Sequence, residues 1–113
     1  MNFETFIRKY KEWQEQPHMF IINNKRMKEI DVAYDILKEI IEDYSPDAKF
    51  DFKINQFNNG NVTIEIETDE LVVKNIPNFI SVIQLASNFE VYPLTNGNIK
   101  FSIMFHDVME VIK

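Results

Sequence analysis

Residues 59–66 of this chain read Asn-Gly-Asn-Val-Thr-Ile-Glu-Ile, and residues 96–103 read Asn-Gly-Asn-Ile-Lys-Phe-Ser-Ile. The offset of 37 (96 minus 59) runs without a gap on both sides, matching Phe52 with Phe89, Ile54 with Val91, Phe57 with Leu94, Leu71 with Val108 and Val72 with Met109. A period of this size marks a repeated supersecondary unit. Here the unit reads as a β-hairpin leading into a helix.

The hairpins can be derived from alternation. Phe50, Phe52 and Ile54 alternate with Asp51, Lys53 and Asn55, and Val62, Ile64 and Ile66 alternate with Thr63, Glu65 and Glu67. Such segments are strands with one buried and one wet face. A two-residue loop at 59–60 sets Ile54 opposite Glu65 and mixes the faces. A three-residue loop at 58–60 sets Ile54 opposite Ile64 and Phe52 opposite Ile66. Opposed residues share a face, so the longer loop is predicted. It is a type I turn closed by Gly60 in the left-handed conformation. The second copy predicts a loop at 95–97, with Val91 opposite Phe101 and Phe89 opposite Ile103. Pro93 has no N–H to donate to a ladder, which places its strand at a sheet edge or stops it early.

Helical periodicity fills the rest. Phe3, Phe6, Ile7, Tyr10 and Trp13 share one face of a first helix at 3–16, with Asn2 as N-cap and Pro17 ending it. A second helix at 25–44 carries the stripe Met27, Ile30, Tyr34, Leu37, Ile41 and Tyr44. Residues 18–24 fit either a short strand or an apolar strap. A third helical region starts after Thr68, with Val72, Ile76, Phe79, Ile80, Ile83 and Ala86 as its buried stripe and Pro77 kinking or splitting it. Asp107 is predicted to open a short last helix containing Val108, Met109, Val111 and Ile112. The resulting fold class is α+β, in the order α-α-β-β-α-β-β-α. Two hairpin–helix repeats form a four-stranded antiparallel sheet with helices on one face. The chain is read as a single domain, 1–113, comprising an N-terminal helix and connector (1–24) and a pseudo-duplicated core (25–113).

Composition removes several chemistries. The only glycines are Gly60 and Gly97, and both are needed by turns, so no glycine-rich phosphate loop exists. There are no cysteines, hence no thiolate nucleophile, disulfide or thiolate metal site. His18 and His106 have no partner at zinc-ligand spacing. Ser102, His106 and Asp107 hold the residue types of a hydrolytic triad, but a strand followed by a helix start does not align them. No catalytic, cofactor-binding or metal site is therefore expected. No apolar run is long enough to span a membrane, and the acidic, amphipathic N-terminus reads as no signal peptide; together these point to a cytoplasmic protein. Net charge is −6, and the basic residues cluster only at Lys25, Arg26 and Lys28, which argues against direct nucleic-acid binding. An excess of Lys over Arg with many Ile and Asn fits AT-rich coding DNA, as in low-GC bacteria and their phages.

Two surfaces remain as candidates. On the second helix, Asp31, Asp35, Glu39 and Glu42 fall on one arc opposite the apolar stripe. The wet sheet face carries Glu65, Glu67 and Tyr92 among other polar residues. Each offers a dock for another protein with a basic surface. The sequence thus reads as a small acidic cytosolic interaction module without catalytic activity. A specific form is a phage- or mobile-element-encoded inhibitor, its carboxylates acting on a nucleic-acid-binding host protein. The alternative is a small-molecule-binding domain or enzyme with a site in the helix–sheet cleft. Phe6, Tyr10 and Trp13 of the first helix are also the face expected in a homodimer, should that helix swing away from its own domain.

Overall fold

The computed structural model describes residues 1–44, 48–55, 60–68 and 76–112. These form three helices and six strands: α1 (Phe3–Gln14), β1 (Phe20–Ile22), α2 (Asn24–Tyr44), β2 (Lys49–Asn55), β3 (Asn61–Thr68), α3 (Ile76–Leu85), β4 (Asn88–Pro93), β5 (Ile99–Phe105) and β6 (Met109–Val111). The class is α+β. Strands β2 to β5 make an antiparallel sheet in the order β2-β3-β5-β4, and β1 pairs with β6 as a separate ribbon.

Local chemistry explains the helix starts. Asn2 is extended and its side chain accepts from the Thr5 N–H at 2.8 Å, satisfying an otherwise orphaned donor of α1. Asn23 does the same for α2 through the Arg26 N–H at 3.2 Å. Pro77 stands in the first turn of α3, where its missing N–H costs no helical bond. The predicted helical span 69–75 lies outside the described residues, and Thr68 is the buried last residue of β3.

The helices and one sheet face enclose a single buried cluster. It joins Phe6 of α1, Met27, Ile30, Ala33 and Leu37 of α2, and Val82 of α3 to Phe52, Val62, Ile64, Ile66, Phe101, Ile103 and Phe105. Phe6 stacks on Phe52 with centroids 5.1 Å apart, and Phe3 stacks on Tyr34 at 4.0 Å. On α3 the buried position is Val82, whereas Ile80 of the predicted stripe is 46% exposed.

The second hairpin has the predicted register, with Phe89 opposite Ile103 and Val91 opposite Phe101. Leu94 N–H donates to Asn98 C=O at 2.8 Å across a three-residue turn, and Gly97 has φ +88°. The first hairpin differs. Ile54 faces Val62 and Phe52 faces Ile64, a slip of two residues from the predicted pairing. A slip of two leaves every apolar side chain on the same face, so alternation cannot detect it. The predicted loop at 58–60 falls partly on residues outside the description, but Gly60 does have φ +60°.

The predicted last helix is replaced by a strand. Asp107 takes a left-handed φ of +58°, a turn conformation that Asp tolerates, and the chain then runs as β6 against β1. Ile22 faces Met109, Ile21 faces Glu110 and Phe20 faces Val111. The ambiguous segment at 18–24 and the supposed helix thus satisfy each other's backbone groups. The chain therefore ends its second hairpin in a strand, where the first is followed by α3.

Candidate protein-binding surfaces

The outer face of α2 carries the first candidate set. Asp31, Asp35 and Glu39 are exposed, and among the described residues none of them forms an ion pair. The side chain of Glu42 lies outside the described residues. Asp31, Asp35 and Glu39 are each four residues apart, so like charges stack one helical turn above another. Each such pair opposes helix formation by roughly 0.2–0.5 kcal/mol. Val32, which sequence reasoning did not single out, lies on the same arc and is 49% exposed. Its signal was its position beside Asp31, off the apolar stripe.

The wet sheet face is electrostatically different. Glu65 is only 7% exposed. Its carboxylate accepts ion pairs from Lys53 Nζ at 2.6 Å and Lys100 Nζ at 3.2 Å, one from each neighbouring strand. Burial alone would raise its pKa, but the hydrogen-bonded lysines outweigh this and hold the carboxyl below its ordinary value. Lys53 is correspondingly raised, chiefly by its hydrogen bond to Glu65. Asp51 pairs with the amino group of Met1, and Glu67 accepts from Asn98 Nδ2 at 3.0 Å. Glu65 and Glu67 are thus partnered within their own sheet. Tyr92, by contrast, is exposed on the edge strand β4.

The third expected surface is occupied by its own domain. Phe6 is fully buried, Trp13 is 8% exposed and packs against Phe20 of β1, and the Tyr10 hydroxyl donates to Asn24 Oδ1 at 2.6 Å. α1 is tied to β1, α2 and β2.

Other polar groups are engaged structurally. Arg26, part of the sequence's basic cluster, turns inward. Its Nε donates to the His106 carbonyl and its Nη1 to the Leu85 carbonyl, both at 3.0 Å, while Nη1 also pairs with Glu29. It thereby caps the end of α3 and anchors the end of β5. His106 Nε2 lies 3.0 Å from Met104 Sδ, and no hydrogen bond among the described residues links it to Ser102 or Asp107 as a triad requires. The described residues hold no group of three or more His, Asp or Glu side chains placed to bind a metal. No described helix is long and apolar enough to cross a membrane.

Among the described residues, open grooves line the surface. One of ≈ 590 Å³ runs between α1 and α2, lined by Phe3, Ile7, Tyr10, Gln14, Asn24 and Asp31 among others. Three of its polar groups are joined to one another, since Gln14 Nε2 donates to Tyr10 Oη at 2.6 Å and Tyr10 donates to Asn24. No protein-family model matches the chain, and no curated protein or solved structure matches it either.

Proposed function

We propose that this chain is a cytoplasmic protein–protein interaction module that acts by binding, without catalysis, through the outer face of α2. The observation that carries this reading is the column Asp31, Asp35 and Glu39, exposed and without ion pairs among the described residues. Solvent explains its exposure, but the repeated like-charge spacing works against the helix it sits on. A basic partner surface would relieve that repulsion and cover Val32 at the same time. The partner fitting this chemistry is a protein with clustered Lys and Arg, and a nucleic-acid-binding protein blocked at its phosphate-contacting surface is one such case. The sheet-face carboxylates support the choice by contrast, because Glu65 already holds two lysines.

The test is capture of partners by the intact chain and by a variant with Asp31, Asp35 and Glu39 all changed to Lys. Electrostatic steering predicts that the variant loses the partner and that binding by the intact chain weakens steeply over roughly 50 to 500 mM salt. A partner retained by the variant, with affinity flat across that range, would defeat this function. A partner lost instead on Tyr92→Ala would move the working surface to the sheet.

A further inference from the structure

The two outer strands of the main sheet end differently. At β2 the Phe52 N–H donates to the Met1 carbonyl at 2.7 Å and α1 packs alongside, so that edge is covered. At β4 the outer edge has no neighbouring strand among the described residues. Five of its six residues are exposed, including Val91 at 48% and Tyr92 at 37%. Ile80, on the helix that packs over β4 through Phe79 and Phe89, is 46% exposed as well. An open edge with apolar side chains is a template for another strand.

The backbone says which strand fits. Leu94 N–H bonds to Asn98 C=O, so that pair is a hydrogen-bonded one. Hydrogen-bonded and non-bonded pairs alternate in an antiparallel ladder. Asn88, Glu90 and Tyr92 therefore turn their backbone groups toward β5, and Phe89, Val91 and Pro93 turn theirs outward. Pro93 has no donor. The Phe89 N–H is held by the exposed Asn88 side chain at 2.8 Å. Val91 is left in the middle with both groups directed outward.

We propose that this edge pairs antiparallel with the same edge of a second copy of the chain, about a two-fold axis at Val91. The register follows from elimination. Centring one residue earlier sets Glu90 directly opposite its own copy, which repels. Centring one residue later pairs Val91 with Pro93 on both sides and loses two donors. Centring on Val91 gives mutual Val91 N–H to C=O bonds and directs each Phe89 N–H, once freed from Asn88, to the partner's Pro93 carbonyl. Glu90, the only ionisable side chain on β4 besides Tyr92, then faces the partner's Tyr92. Val91 packs on its copy on the helix side. An isologous contact of this kind closes as a dimer and leaves no further edge at β4. It is independent of the acidic face of α2.

Sedimentation of the full chain over a wide concentration range should show a monomer–dimer equilibrium. Val91→Lys, whose side chain is half exposed, should halve the mass at high concentration while keeping the thermal melt of the monomer. The chain has no cysteine, so single cysteines report the register. Opposed residues in a hydrogen-bonded pair have Cα atoms about 5.5 Å apart, within disulfide reach. Val91→Cys should form a disulfide-linked dimer under mild oxidation, and Tyr92→Cys should do so far more slowly. A chain that stays monomeric up to millimolar concentration overturns the proposal and leaves the edge to a foreign strand. A dimer that persists in Val91→Lys, or cross-linking at Tyr92→Cys as fast as at Val91→Cys, overturns it too. If Val91→Lys fails to fold, the cysteine pair alone decides.

Discussion

The hairpin β2–β3 and the hairpin β4–β5 share an Asn-Gly-Asn turn and an alternation of apolar residues, yet they end in different environments. In the first, Phe52 is 1% exposed and stacks on Phe6, and the outer strand is covered by α1. In the second, Phe89 is half-buried, Val91 is exposed and the outer strand has no neighbour among the described residues. Registers differ by two residues as well: Phe52 faces Ile64, whereas Phe89 faces Ile103, the counterpart of Ile66. The glycines diverge most. A Cβ on Gly97 would meet nothing within 4 Å, whereas a Cβ on Gly60 would collide with the side chain and carbonyl of Met109. Gly60 is buried, and its carbonyl accepts the Val108 N–H at 3.2 Å. One glycine serves a turn; the other allows the chain entering β6 to lie against the hairpin. A shared alternation sets which face each strand buries, but the register and what covers the pair are decided by segments far away in the chain.

Core truncation should expose this difference most strongly. Phe52→Ala removes a fully enclosed ring and should cost about 3–5 kcal/mol in denaturant melts. Phe89→Ala, at the less covered strand, should cost about 1–2 kcal/mol, because less surface is withdrawn from water there. Equal losses would mean that the two strands are equally enclosed.

Glu65 gives a smaller, pH-dependent effect within the first hairpin. Its folded pKa lies below the ordinary 4.5, so its contribution is complete above that value and is lost as pH falls through the lowered one. Glu65→Gln should therefore lower stability at neutral pH by about 1 kcal/mol and flatten the acid side of the stability curve. Urea melts across the acid range check this, and an unchanged acid limb would show that the two lysines do not hold the carboxylate.

Charge reversal on α2 should have the least effect on folding. Asp35→Lys should change stability by less than about 0.5 kcal/mol, and by relieving two like-charge contacts it should if anything stabilise the helix. Thermal melts of the single variant decide, and a large loss would show that Asp35 has a structural partner.

Much of the fold was legible because it depends on short-range rules. Asn2 caps its helix through its own side chain, Pro93 lies on an edge strand, and the second hairpin turns where Gly97 allows it. The misreadings have one physical origin in common. The register of the first hairpin, the choice of Val82 over Ile80, and the strand at Met109–Val111 are set by contacts between distant segments. Val108, Met109, Val111 and Ile112 suit a helical turn or a short strand equally, and only pairing with β1 selects the strand. At the candidate surfaces, the exposure of Asp31, Asp35 and Glu39 was legible from helical spacing. The neutralisation of Glu65 was not, because it needs Lys53 and Lys100 from strands on either side.

The unequal roles of the two glycines can be measured directly by comparing Gly60→Ala with Gly97→Ala in parallel denaturant melts. Both substitutions place a side chain at positive φ, which costs about 1 kcal/mol or more. Only Gly60→Ala adds the collision with Met109, so its loss should reach about 3 kcal/mol or more while Gly97→Ala stays near the strain alone. Losses equal within error would contradict the packing of β6 against the first hairpin, and with it the distinction between the two halves of the sheet.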